Sequence, residues 1–340
     1  MIRFAAAAGA LGLVVGIAAA QSAGEVTTRE YDSGAVYHGE FKDGKQHGRG
    51  TYTAPDGYEY TGEWVEGVIR GKGVARFPNG SIYEGEFADG VPHGTGRISY
   101  VNGGSYEGEW VEGVIEGEGK AVYPNGMTYE GGFKDSAHHG YGVMVRDNGY
   151  RYEGEWRKGK RRGTGKVIYP DGAIYEGEFA DGLRAGIGTV SLPGGFSYTG
   201  AWKDGQITGS GEAVYANGDR YKGDFLDGKR HGRGVAEYSS GDRYEGDFLN
   251  GARHGRGTFV GVAGYTYAGD WIEGRVEGTG RAVYLDDSTY EGNFANAKFD
   301  GFGIMTHADG HVYEGDWKAG RQHGRGKTVY PDGAVYERVR

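Results

Sequence analysis

A tyrosine returns every 23 residues: Tyr37, Tyr60, Tyr83, Tyr106, Tyr129, Tyr152, Tyr175, Tyr198, Tyr221, Tyr244, Tyr267, Tyr290, Tyr313 and Tyr336. A period held without a slip over that length restricts the chain to one supersecondary unit stacked many times. At 13 of these positions a glycine follows by two residues and a Phe or Trp by four, as in Tyr37-His38-Gly39-Glu40-Phe41 and Tyr60-Thr61-Gly62-Glu63-Trp64. The same frame recurs at Tyr83, Gly85 and Phe87, at Tyr106, Gly108 and Trp110, at Tyr152 and Trp156, and at Tyr175 and Phe179. A Gly-x-Gly comes next (Gly48 and Gly50, Gly71 and Gly73, Gly94 and Gly96), and a turn such as Pro55-Asp56-Gly57 or Pro78-Asn79-Gly80 closes the unit. Thirteen full units run from about 37 to 335 with a partial unit at each end, so the array takes up residues 21–340.

Each unit carries two turn signals with a short run after each, which predicts two strands: strand A near Tyr37 to Phe41 and strand B near Gly48 to Ala54. No apolar pattern of helical period is present outside the first 20 residues. The expected fold is all-β, an elongated antiparallel array of β-hairpins forming one extended twisted sheet. With two strands per unit it advances by ~9.6 Å per repeat, ~125 Å in all if straight. The 71 glycines and 7 prolines would otherwise suggest low complexity, but 27 Tyr, 13 Phe and 6 Trp are incompatible with disorder.

Alternation along strand A puts Tyr37, Gly39 and Phe41 on one face and His38 and Glu40 on the other. If Phe41 stands opposite Gly48, then Gly39 faces Gly50 and Tyr37 faces Tyr52, and the next strand sets Tyr60 opposite Tyr52 and Trp64 opposite Gly48. One face is then a ladder of rings over glycine, extended by Phe77, Tyr100, Tyr123, Tyr169, Tyr215, Tyr238, Tyr284 and Tyr330 at the ends of B strands. The other face is charged, with Glu40 opposite Arg49, Glu84 opposite Arg97 and Asp247 opposite Arg256, pairs worth roughly 0.2–1 kcal/mol each.

These units resemble MORN repeats (membrane occupation and recognition nexus). The likeness covers nearly all of residues 31–340 and rests on Tyr-x-Gly-x-Phe/Trp, Asp/Glu-Gly, His-Gly-x-Gly and Asp/Asn-Gly in phase. It implies an extended sheet of hairpins, scaffolding through protein contact, dimerisation, and phospholipid binding, with no chemistry of its own. Repeats 5 and 12 depart from the pattern, losing the turn glycine at Asp135-Ser136-Ala137 and Asn296-Ala297.

Candidate chemistry is sparse. Equivalent histidines on neighbouring repeats (His47, His93, His231 and His254 among them) are separated by multiples of ~9.6 Å, too far to share an ion at bond lengths of about 2 Å. Gly67 to Gly73 looks like a phosphate loop but lacks the Ser/Thr and the following helix. No cofactor, metal site or catalytic pair is predicted. Lys and Arg number 38 against 47 Asp and Glu, a net charge of −9, which argues against nucleic acid. The one basic run, Arg157, Lys158, Lys160, Arg161 and Arg162, is a candidate polyanion or anionic-lipid contact.

Residues 1–20 read as a secretory signal peptide, with Arg3, an apolar stretch from Phe4, and small residues to Ala20. Cleavage before Gln21 would deliver the protein to the periplasm or cell exterior, where a chain with no cysteine is insensitive to oxidation. The expected function is a non-enzymatic exported scaffold or adhesion protein holding a protein partner. The alternatives are a glycan or cell-wall binder using the aromatic ladder, and a peripheral phospholipid binder using the basic run.

Overall fold

The computed structural model describes residues 26–339; the signal segment at 1–20 lies outside the described residues. Those residues form 28 β-strands, from Val26–Glu30 to Val335–Val339, and no helix. Between Pro170 and Asp171 the chain divides into two compact units. Within each unit, consecutive strands pair antiparallel. Strand A of a repeat has seven residues, as in Val36–Lys42, and strand B has nine, as in Lys45–Thr53, beginning three residues before the position expected for it.

Between repeats the register follows the sequence pattern: Gly48 pairs with Trp64, Gly50 with Gly62 and Tyr52 with Tyr60. Within a repeat it does not. Tyr37 faces Tyr52 and Gly39 faces Gly50, but Phe41 faces Gln46 instead of Gly48. Strand B therefore holds two extra residues between these pairs, a bulge that recurs at Gly62/Trp64 and Gly177/Glu178. Gly48 makes it possible: its φ of +65° lies in the left-handed region, which turns the strand out of register and back.

The two-residue turn after strand A is left-handed at both positions, Asp43 at φ 51° and Gly44 at φ 75°, the type I′ geometry that matches strand twist. Repeats 5 and 12 keep that turn despite losing the glycine, with Ser136 at φ 59° and Ala297 at φ 58°. A Cβ in this region is strained. Ala297→Gly should therefore stabilise the protein by about 1 kcal/mol, and an unchanged or lowered denaturation midpoint would contradict the turn geometry.

Each unit buries side chains on one face. Tyr37 is 0% and Phe41 2% exposed, while the facing strand B positions hold small residues such as Ala75 and Val167, both 0%. The second set of rings sits differently from the expected ladder. Phe77, Tyr100, Tyr123, Tyr169, Tyr215, Tyr238, Tyr284 and Tyr330 each lie one residue past strand B, in the turn. There Phe77 N–H donates to the Ser81 carbonyl and Gly80 N–H to the Phe77 carbonyl. The turn takes them out of the strand alternation, and some meet a ring from the turn of the preceding repeat, as Tyr58 meets Phe77 at 5.8 Å and Tyr150 meets Tyr169 at 5.9 Å.

Candidate functional site

On the buried face the tyrosine rings lie flat over glycine. A Cβ on Gly50 would fall 2.3 Å from the Tyr37 hydroxyl, and one on Gly39 2.4 Å from the Gly50 Cα. The hydroxyl reaches past the glycines to donate to the Glu40 carbonyl at 3.0 Å, and Tyr60, Tyr83 and Tyr106 repeat this with Glu63, Glu86 and Glu109. Phe41 and Trp64 close the two sides edge-on, with centroids 5.1 and 5.2 Å from Tyr37. Trp64 also donates Nε1–H to the Gly50 carbonyl. The residues Tyr83, Gly85, Phe87, Tyr106, Gly108, Trp110, Tyr152, Trp156, Tyr175 and Phe179 occupy the same places in their own repeats. Edge-on ring pairs of this kind add roughly 0.5–1.5 kcal/mol beyond the area they bury. Burial pushes the Tyr37 phenol up to about 12, with the nearby Glu40 charge adding to it. These rings form the core, and tyrosines at 0–1% exposure present no face on which a sugar could stack.

The bulge brings in a column that the sequence pattern concealed, the residue facing Phe41 and its equivalents. His138 stacks on Tyr129 at 3.6 Å, Phe299 on Tyr290 at 3.7 Å, and the Arg184 guanidinium lies 4.3 Å from the Trp202 ring centroid. A flat or apolar side chain recurring two residues before each Gly-x-Gly was the available signal. Burial lowers His138 to about 4, and its Nε2 lies 2.6 Å from the Tyr123 hydroxyl. Because its folded pKa lies below the ordinary 6.5, its neutral form stabilises the fold above that value, and the contribution is lost as pH falls from 6.5 towards 4. His138→Phe, which copies the stack of repeat 12, should preserve the melting temperature at neutral pH and reduce its decline between pH 6.5 and 4. An identical decline in wild type and variant would contradict this assignment.

The opposite face differs from the ion-pair ladder expected. Glu84 does face Arg97, but the bulge separates Glu40 from Arg49 and Asp247 from Arg256. Their carboxylates instead accept the bulge N–H groups, Glu40 from Arg49 N at 2.9 Å and Asp247 from Arg256 N at 3.1 Å. Thr164 N–H to Glu155 and Thr279 N–H to Asp270 repeat the cap. The acid at this position holds an otherwise unpaired donor. The histidine column does related work: His47 Nδ1 accepts Glu66 N–H of the next turn, and Glu116, Glu277 and Asp300 accept the equivalent N–H. Acids can stand in for histidine there because they too accept that N–H, although Arg70, Arg162 and Ala185 fill the same place without an acceptor. Among the described residues no group of three or more His, Cys, Asp and Glu is placed to hold a metal ion.

Four residues of the basic run gather at one turn and the fifth leaves them. Arg157 and Lys160 are cross-strand partners beside the Lys158 turn, and Arg162 is exposed near them. Arg161 points to the aromatic face, where it pairs with Trp156 across the ladder and donates to the Tyr150 hydroxyl.

Hairpins that each bury an aromatic face and present the other face to solvent, repeated on one period, define a β-hairpin repeat protein. The chain belongs to the MORN-repeat family: the MORN repeat pattern matches twelve segments, from residues 37–57 to 313–335. Residues 267–289 are not matched, yet Tyr267 and Trp271 are buried there as elsewhere and Gly269 faces Gly280. Among curated proteins no sequence relative is found. Solved structures give weak likenesses. The TCP domain of Drosophila melanogaster SAS-4, in complex with a proline-rich motif of Ana2, shares 14% identity over 59% of this chain and 90% of that one, at a TM-score of 0.26. The TCP10 domain of Danio rerio CPAP shares 14% over 78% and 99%, at 0.18. A virginiamycin B lyase from Staphylococcus aureus shares 9% over 94% and 86%, at 0.13. Likeness at this level carries no functional argument.

Proposed function

We propose that this protein is a non-catalytic scaffold, exported to the periplasm or cell exterior, that holds a protein partner on the solvent face of its hairpins. The observation that carries this reading is the division between faces. The invariant tyrosines and glycines are consumed in the core, while the other face varies at fixed geometric positions. The column that begins at Arg49 continues as Lys72, Thr95, Glu118 and Tyr141, each presented by the same bulge. Such a surface distinguishes one stretch of repeats from another, and several repeats are needed to reach the roughly 800 Å² per partner of a specific interface.

Deleting two whole repeats, for instance residues 83–128, preserves the phase, so the remainder should still fold. Partner binding should disappear with one particular deletion and survive the others. A complete deletion series that leaves binding intact would overturn the reading, as would a hydrolytic or transferase activity abolished by one substitution. Export is tested by sequencing the N-terminus of extracytoplasmic protein, which should begin at Gln21.

A further inference from the structure

In the second unit the charged face is hollowed into an open groove of about 1180 Å³, which crosses the strands from Arg220–Leu226 to Lys298–Thr306. Its floor is the backbone of Gly234, Gly257 and Gly280, whose side-chain positions face the tyrosine rings on the other side of the sheet. Its walls carry Lys222, Arg233, Arg243, Arg256 and Arg281 against only Glu245 and Glu291. Glu212, Asp247 and Asp270 bond three of these cations from the side, so this face is close to charge balance in a chain of net charge −9.

Two of these cations are exposed and in line. Arg233 and Arg256 belong to one column, which continues through Thr279 to Phe302, each step one repeat long. Their side chains are 90% and 84% exposed. Asp247 and Asp270 beside them already accept backbone N–H groups, and they approach the guanidinium groups from the Nε side, at 3.7 and 3.4 Å. That leaves the paired terminal nitrogens, the fork that fits a carboxylate. At the end of the column Phe302 is 52% exposed, with Ile304 beside it at 37%.

We propose that this groove binds an extended acidic peptide in polyproline II conformation, its carboxylates three residues apart on Arg233 and Arg256 and an apolar side chain six residues further on against Phe302. Polyproline II rises ~3.1 Å per residue and returns to the same side every third residue, a step of ~9.3 Å. The column advances by two strand spacings, ~9.6 Å. A β-strand ligand repeats its face at roughly 6.8 Å and falls out of step. A densely charged polymer, such as an acidic glycan, meets Glu245, Glu291 and the negative field of the whole chain, and has nothing to place on Phe302. The inference rests on the scaffold reading and narrows its partner to a sparsely acidic, extended segment.

The test uses the full chain and fluorescently labelled synthetic peptides. EPPEPPSPPL should bind by fluorescence anisotropy. EPEPPPSPPL, with the same composition and the carboxylates two apart, should bind about tenfold more weakly or worse, and QPPQPPSPPL likewise. Arg233→Gln combined with Arg256→Gln should weaken the first peptide by at least about tenfold with the melting temperature unchanged. Phe302→Ser should weaken it only when its last residue is apolar. Equal binding of the two spacings to the wild-type chain would overturn the proposal without any variant. So would an indifferent double variant, or failure to bind the peptide while polygalacturonate binds through the same arginines. A cellular partner lost on two-repeat deletion but retained by the double variant would remove the groove and leave the scaffold standing. A partner that no deletion releases would remove the scaffold.

Discussion

Gly108→Val should destabilise the protein by about 3 kcal/mol or more, because the site has no room even for the first carbon. A Cβ there would lie 2.5 Å from the Glu118 carbonyl oxygen, 2.5 Å from the Tyr106 hydroxyl and 2.6 Å from the Gly119 Cα. Two of those three obstacles are backbone, so relief requires the strands to part, which breaks the Gly108–Gly119 pairing and releases the Tyr106 ring. The loss falls inside one hairpin, and because the repeats on either side stack on it, it weakens the coupling on both sides. Gly194→Ala is the control, since the added carbon meets nothing within 4 Å and the backbone is not left-handed there. It should melt like the wild type. Equal midpoints for both variants in denaturant would mean that the rings do not rest on the glycines.

The second large effect is alkaline collapse. Burial pushes the phenols of Tyr37, Tyr58, Tyr284 and Tyr290 up to about 12, and those of Tyr60, Tyr83 and Tyr106 above the usual phenol range for the same reason. The folded chain thus keeps protons that the unfolded chain gives up near pH 10. Stability is complete below pH 10 and falls as pH rises towards 12, each tyrosine contributing up to about 1.4 kcal/mol per pH unit. With a buried tyrosine in every repeat the losses accumulate, so ionisation and unfolding should occur together. Tyrosinate absorbance should rise steeply, in step with the loss of β-sheet circular dichroism. Phenols that all titrate near pH 10 in a protein with intact dichroism would contradict their burial.

The period alone made most of the fold legible. Tyr37, Gly39, Phe41 and the Tyr52–Tyr60 register follow from alternation and one turn. What alternation could not supply was a backbone choice. Gly48 reads in the sequence as one more glycine beneath a ring, whereas its left-handed φ adds two residues to strand B, moves Phe41 to Gln46 and turns Glu40 into a cap. The functional surface was obscured for a related reason. Arg157 to Arg162 stands out because its charges are consecutive, yet neighbours on a strand point to opposite faces, and Arg161 leaves the group for the aromatic side. Arg233 and Arg256 look like isolated charges because a full repeat separates them, and only stacking makes them adjacent in their column.

The pairing pattern also governs how the protein folds. Large β-sheets ordinarily fold slowly, because distant segments must find each other before any contact rewards the search. Here Val36 with Thr53, and Gly48 with Trp64, are the most widely separated partners of their ladders, and within each unit strands pair with their neighbours in sequence. Loop closure is as short as in a helical bundle, so within each unit a hairpin can nucleate and the next can add to it while the remaining chain is still absent. A chain passed through a membrane from its N-terminus could assemble repeat by repeat as it emerges, and no strand would wait for a partner not yet delivered.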